Sequence, residues 1–511
     1  MTVAIEQLTI EQQVAQRFIV GFSGLAPQGT FNRFLEAGLG GVIFFRENFD
    51  ADGTPEAILQ RNQHLQNQVP KSCPPLFLST DQEGGRVERL PYTFFPSTPA
   101  PAALALADEL NEPGILQQVY AKQSACLASL GFNLNYFPTL DVNLEPTNPI
   151  IGPRAFGSSK GVVQKFGKQA VETLRNNNII PVAKHFPGHG NGTVDSHVAL
   201  PQLTFTEDEL KGFLQAIDLK IPAVLVSHGY YPALQRSARE VDVPASASPT
   251  VVKDLLRKKC GFQGVVISDD MCMGAITQHQ DAITAAMKTI EAGVDVLVYK
   301  QSTETEWQVF EAIVAALQDE ILDMEDHLAA VRRILDCKYQ YLNQPSTPLY
   351  NKDSVKEMSR DWAQKSITLL SGELPSVLPL QPEASLWVIH PDRASIVGYN
   401  FDQDISPELP QLFEAAGFLN IRFWQYPQAN TTSFNSLSAP EAIVFISHDP
   451  QRDPIQVELY EALCQQAPTA SRILISAASP YCSGLLPNST VHIALCSYRP
   501  PQMEALIDFL T

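Results

Sequence analysis

Residues 180–197 read IPVAKHFPGHGNGTVDSH. The stretch opens as a short apolar run, Ile180–Ala183, and then changes character. Pro187 and three glycines exclude a regular helix through the rest, so the pattern reads as a buried strand that empties into a polar loop. The same pattern recurs on both sides of it. Apolar runs bounded by turn residues fall at Phe18–Phe22, Gly41–Phe45, Pro75–Thr80, Leu134–Leu140, Ala223–Ser227, Gly264–Ser268 and Asp295–Tyr299. Helical periodicity fills several of the gaps, at Glu56–Gln68, Gly161–Asn176 and about Asp281–Ala292. Strands that alternate with helices imply a parallel sheet, and eight such units predict a closed (β/α)8 barrel of the TIM type over residues 1–342.

Beyond the eighth run, residues 343–350 (NQPSTPLY) hold two prolines among polar residues and read as a linker. A helical segment is expected at Ser354–Leu370, then short strands at Leu386–His390, Ala442–Ser447, Arg472–Ser476 and Val491–Cys496. Residues 351–511 are therefore expected to form a second, smaller α/β domain, an open sheet covered by helices. The chain has 511 residues, 44% hydrophobic, enough for a large core. Its formal net charge of −19 argues against nucleic acid and anionic membranes as main partners. No apolar run is long enough to span a bilayer, and the N-terminal residues lack the layout of a signal peptide. Eight scattered cysteines with no CxxC pair read as thiols in a reducing compartment. The expectation is a cytoplasmic protein.

Four stretches carry the residue types of chemistry, each at a strand end. In residues 184–197, Lys184, His185, His189, Asp195 and His197 crowd one loop. A carboxylate two residues from an imidazole fixes its tautomer and raises its basicity, leaving the second nitrogen to move a proton. Structural hydrogen bonding and a zinc site on His185, His189 and His197 are the competing readings, the latter without HExxH spacing or a cysteine partner. In VVISDDMCMGAI (265–276), a buried run ends in Asp269 and Asp270, of which one is expected to face the barrel axis and the other to cap the following turn. In STDQEGGRVERL (79–90), Asp81 suits a pair of sugar hydroxyls, and Arg86 and Arg89 suit a hydroxyl or acetamido oxygen; a surface salt-bridge network is the alternative. In IGPRAFG (151–157), Arg154 sits in a loop beyond Asp141.

Together, DQEGGRVERL, GPRAFG, KHFPGHG followed by DSH, and ISDDMCM resemble the β-N-acetylhexosaminidases of glycoside hydrolase family 3. EQQVAQRFIVGF near the start and PASASPTVVKDLLRKKCGF also resemble that family, and the closing SYRPPQMEAL resembles the α/β sandwich of its longer members. The KHFPGHG…DSH pair separates these hexosaminidases from the family's β-glucosidases. The resemblance implies a retaining glycosidase with no metal and no cofactor. By motif position it implies Asp269 as nucleophile, His197 as general acid/base and Asp195 as its orienting partner. It implies Asp81, Arg89, Arg154, Lys184 and His185 as ligands of a terminal N-acetylglucosamine. The implied substrate is an N-acetylglucosamine-containing oligosaccharide or muropeptide, in bacteria a peptidoglycan fragment of cell-wall recycling. A phosphorylase is the enzymatic alternative, because a histidine acid/base repels phosphate less than a carboxylate would. A catalytically silent sugar-binding protein is the other, and the presence of all three catalytic positions counts against it.

Overall fold

The computed structural model describes the chain apart from residues 1–2, 197, 238, 344–346, 374–376, 393–408, 430, 433, 435–436, 481 and 483. In chain order the strands of the first two-thirds are β1 (Phe18–Val20), β2 (Gly41–Phe44), β3 (Phe77–Thr80), β4 (Gln82–Gly84), β5 (Val87–Glu88), β6 (Leu134–Asn135), β7 (Ile180–Phe186), β8 (Ala223–Val226), β9 (Val265–Asp270) and β10 (Val296–Tyr299). Among the described residues, eight of these close a parallel barrel in the order β1-β10-β9-β8-β7-β6-β3-β2. β4 and β5 form a small antiparallel hairpin just beyond β3.

Strand side chains alternate, and the barrel has two separate cores as a result. Ile19, Ile43, Phe77, Leu134, Ile180, Val182, Leu225, Ile267 and Val298 face the axis, where Ile334 and Cys337 of the helix Met324–Tyr341 pack with them. Phe18, Val20, Val42, Phe44, Leu78, Ala183, Val224, Val266 and Leu297 face outward into the helical layer. Local signals start and stop the helices. Thr54 caps Pro55–Gln68 and Ser159 caps Lys160–Asn176. Asp281 opens Ala282–Ala292, and Gly293, at φ 105°, ends it. The seam between the first and last strands is tied at one end: Arg17 donates to the carbonyls of Asp295 and Val294, 278 and 277 residues away. Asp295 in turn pairs with Arg257 and Arg333, and Lys338 donates to Gln16.

Several boundaries differ from the sequence reading, and three of them lie at strand ends beside the cavity. The run expected at Leu134–Leu140 pairs only over Leu134–Asn135, with one further bridge from Thr139 to Lys184, because Pro138 has no N–H to give the ladder. β7 continues past Ala183 to Phe186, with a register shift, so Lys184 and His185 belong to the strand end and not to the loop. β9 runs through both acids.

The remaining strands are β11 (Thr368–Gly372), β12 (Leu386–Pro391), β13 (Ile421–Tyr426), β14 (Ala442–Ser447), β15 (Ser471–Ser476) and β16 (Val491–Ala494). They form one sheet in the order β11-β16-β15-β14-β12-β13, parallel except for β11. The helix expected over Ser354–Leu370 ends at Ser366, and the residues after it become the antiparallel edge strand β11. Residues 344–346 of the proposed linker lie outside the described residues; Leu349 and Tyr350 pack on the barrel core, and the Tyr350 hydroxyl donates to the Phe94 carbonyl. The helix Pro101–Leu110 lies where the two sheets meet: Ala102 and Ala103 share an apolar cluster with Ala494 and Cys496.

Candidate active site

The inward parity of the barrel strands continues past their C-terminal ends and decides what lines the cavity there. Stepping by two from Phe77, Leu134, Val182 and Ile267 arrives at Asp81, Tyr136, Lys184 and Asp269. All four line a cavity of about 660 Å3 together with Phe45, Arg89, Arg154, His185, His189, Asp195 and Lys300. Of the residues singled out in the sequence, Asp269, Asp195, Asp81, Arg89, Arg154, Lys184 and His185 therefore meet in one place. His197 lies outside the described residues.

The floor of the cavity is a buried network of ions. Lys184 Nζ lies 2.7 Å from Asp81 Oδ1 and 2.6 Å from Glu83 Oε1. Arg154 grips Glu83 with two bonds, Nε to Oε2 at 2.9 Å and Nη2 to Oε1 at 2.8 Å. Arg89 Nη2 reaches Asp81 Oδ2 at 3.5 Å, and its guanidinium lies over the Phe45 ring. Burial pushes the Glu83 carboxyl up, but Arg154 and Lys184 outweigh it and hold it well below the usual carboxylate range. Asp81 follows the same logic with Lys184 and Arg89. The centre of the cluster is the most buried part: the Glu83 side chain is 0% and Lys184 3% exposed, while Asp81, Arg89 and Arg154 keep a partly open face. Arg86 also lines the cavity and donates to the carbonyls of Ile150 and Ile151, fixing the loop that carries Arg154.

His185 is oriented from behind. Its Nδ1 lies 2.7 Å from Asp141 Oδ2, and its Nε2 is 3.3 Å from Arg154 Nη2. Asp141 is fully buried and also accepts from the backbone of His189 at 2.7 Å. Its burial is outweighed by His185 and by that amide, so its carboxyl sits low. The His189 ring is buried at the cavity wall, and neither ring nitrogen has a partner among the described residues. Burial, then the neighbouring His185, pushes it down to about 4, so it is neutral near pH 7.

The two aspartates of β9 divide. Asp270 Oδ1 accepts from the amides of Cys272 and Lys300, both at 3.0 Å, and its carbonyl accepts from Met273 N at 3.0 Å, closing the turn. His228 Nε2, 3.1 Å away, holds the same carbonyl. Burial, aided by Asp269, moves the Asp270 carboxyl upward. Asp269 accepts from the Asp270 amide at 2.9 Å and faces the cavity. The loop that carries Asp195 is anchored beside this turn: the Ser196 carbonyl accepts from Ala275 N, and the Val198 carbonyl accepts from Gln278. Among the described residues no three His, Cys, Asp or Glu side chains group as a metal site.

The family described as "Glycosyl hydrolase family 3 N terminal domain" matches residues 9–337, well over half the chain. The chain belongs to glycosyl hydrolase family 3. It is 32% identical over 387 residues to Beta-hexosaminidase A of Pseudoalteromonas piscicida, an alignment that covers 70% of this chain and 63% of that protein. It is likewise 32% identical over 274 residues to a Beta-hexosaminidase of Hydrogenovibrio crunogenus, covering 52% and 73% of the two chains. The solved glycoside hydrolase family 3 beta-N-acetylglucosaminidase from Paenibacillus sp. str. FPU-7 superposes with a TM-score of 0.81 at 28% identity, covering 99% of this chain and 97% of that one. This chain therefore matches somewhat less than two thirds of the Pseudoalteromonas protein, while its two-sheet architecture has a full-length counterpart in the Paenibacillus one.

Two residues of this buried network escaped the sequence reading. Glu83 stood inside a quoted motif, but its place before Gly84-Gly85 reads as a turn. Asp141 directly follows the fourth run, as Asp81 directly follows the third, and that shared position at a strand's exit was the available signal. The sequence reads His189 as a structural hydrogen-bonder or a metal ligand, and the structure places it at the cavity wall.

Proposed function

We propose that this chain is a retaining exo-β-N-acetylglucosaminidase that removes terminal β-linked N-acetylglucosamine. The observation that carries the reading is the convergence of Asp81, Arg89, Arg154, Lys184 and His185 on the cavity into which Asp269 points. Such a floor suits a neutral, hydroxyl-rich ring: carboxylate oxygens accept from hydroxyls, and the cations donate to hydroxyl and acetamido oxygens. The names of the relatives support the same chemistry.

Asp269 attacks the anomeric carbon, the glycosidic C–O bond breaks, and its electron pair stays on the leaving oxygen, which takes a proton from the His197 imidazolium. Water then adds to the anomeric carbon, neutral His197 takes its proton, and the Asp269 carboxylate leaves. Asp195 orients the imidazole. The ring must hold a proton before the first step and return to base for the second. The proposed substrate is a muropeptide or related peptidoglycan fragment, met in the cytoplasm; no described helix is long and apolar enough to cross a membrane. Residues 1–342 would supply the chemistry and residues 351–511 a second domain.

The test is product analysis on muropeptides, chitobiose and a glucoside, with and without inorganic phosphate and chelator. N-acetylglucosaminides should be cleaved far faster than glucosides, without dependence on phosphate or metal. Equal rates on both sugars would overturn the reading, turnover that requires phosphate would replace it with the phosphorylase, and no turnover at all would favour the silent binder.

A further inference from the structure

We propose that Arg499, on the second sheet's side of the molecule, is a positioning residue for the sugar-binding residues of the barrel. It acts through the hairpin β4–β5 on Arg89 and Asp81. The inference rests on the reading that those two bind the sugar.

The hairpin carries Glu83 between two ligands of the cavity, so its position decides where Asp81 and Arg89 stand. Gly84, at φ 107°, turns it so tightly that a Cβ there would lie 2.4 Å from the Pro99 carbonyl oxygen. Arg499 is only 5% exposed and crosses to this hairpin. Its Nε donates to the Gly85 carbonyl at 2.9 Å and lies 3.4 Å from Glu88 Oε2; its Nη2 donates to the Glu88 carbonyl at 3.3 Å. Glu88, 1% exposed, accepts from Gln82 Nε2 at 3.1 Å and Thr98 N at 2.7 Å through Oε1, and from Ser97 Oγ at 3.1 Å through Oε2. Gln82 Oε1 accepts from Arg89 N at 2.9 Å and Leu90 N at 3.3 Å. Asn135 clasps the Gln82 backbone to β6 with two bonds of 2.9 Å. An unbroken set of buried polar contacts thus runs from Arg499 through Glu88 and Gln82 to the backbone of Arg89, whose guanidinium faces Asp81.

The sequence around Arg499 is built to hold it still. Pro500 and Pro501 open the final helix, Pro500–Leu510. A residue before proline is kept out of the helical region, and Arg499 is extended at φ −64° and ψ 146°. Its amide donates to Ser497 Oγ at 3.1 Å. Arginine suits the task because its planar fork bridges a carbonyl and a carboxylate at once, which an ammonium does less well.

The experiment compares full-length Arg499→Met, Arg499→Lys, Glu88→Gln and Asn111→Ala with the unchanged protein. Asn111 donates to the Ile367 carbonyl at 3.1 Å, a contact between the same two parts that does not touch the hairpin. Readouts are kcat and KM on a chromogenic N-acetylglucosaminide, and hydrogen exchange over residues 81–90. Arg499→Met should lower kcat/KM by about 10- to 100-fold, mostly through KM, with faster exchange in the hairpin. Arg499→Lys should recover part of the loss, and Asn111→Ala should leave KM unchanged. Should Arg499→Met fail to fold, Glu88→Gln weakens the same relay with its shape kept and should also raise KM. Unchanged KM and exchange in the Arg499 and Glu88 variants, or an equal rise in Asn111→Ala, overturns the relay. Asp81→Asn and Arg89→Met run alongside: if they too leave KM unchanged, the sugar-binding reading itself has failed.

Discussion

Glu83 is the residue whose loss the site should tolerate least. It has no exposed surface and is shared by Arg154 and Lys184. Glu83→Gln keeps the shape but leaves two buried cations short of a counter-charge, a change that costs about 3–5 kcal/mol for a broken buried pair. Urea unfolding should show that loss, and activity should fall with it because Lys184 and Arg154 relax. The aspartates of β9 make the contrasting case. Asp269→Asn should cut turnover by roughly three orders of magnitude or more in a folded protein, since amide oxygen is a poor nucleophile. Asp270→Asn retains an oxygen for the amides of Cys272 and Lys300, so part of the activity should survive. Labelling with a slow fluorinated N-acetylglucosamine analogue, followed by peptide mapping, checks the pair; a label on Asp270 would reverse the assignment. These partners were legible only singly in the sequence. Asp81 and Lys184 are 103 residues apart, and Glu83 and Arg154 are 71 apart, so residue types and strand ends could be read but not the pairings.

At the scale of elements, the barrel strands were readable because each is apolar on both faces, one toward the axis and one toward the helices. The misreadings have local causes. β13, IRFWQY, is a half-exposed edge strand with Arg422 in it, so its apolar run is broken. The residues of β11 follow a helix without a glycine or proline between them and read as its last turn. The β7 exit also shows how closely a loop is packed. A Cβ on Gly190 would sit 1.6 Å from the Val142 carbonyl oxygen. That carbonyl is backbone and has nowhere to go, so Gly190→Ala should destabilise the fold by about 3 kcal/mol and displace His189. A variant with unchanged thermal stability would show that the two loops separate easily.

Over the whole molecule, buried groups of opposite behaviour bound the pH range of stability. Asp81, Glu83 and Asp141 are all held below their ordinary values of 3.8, 4.5 and 3.8. Their contribution is complete above those values and is lost as pH falls through them toward the folded ones. His189, pushed from 6.5 to about 4, adds to the acid side, because only the unfolded chain protonates it between those values. Glu209 works the other way. Burial, then Asp141, raises it to about 8 against the donors Gly190, Thr206 and Asn191, so its contribution is full below about 4.5 and lost as pH rises through 8. Tm against pH should therefore fall on both sides, and Glu209→Gln should flatten the alkaline side alone. An unaltered profile in that variant would remove Glu209 from the account. The tie between Arg17 and Asp295 has a different kind of consequence, one in time. A ribosome adding about 5–20 residues per second makes the first strand some 15–60 seconds before its neighbour across the seam exists. Through that interval the growing sheet keeps two open edges, β1 and whichever strand is newest, and they meet only when synthesis passes residue 299.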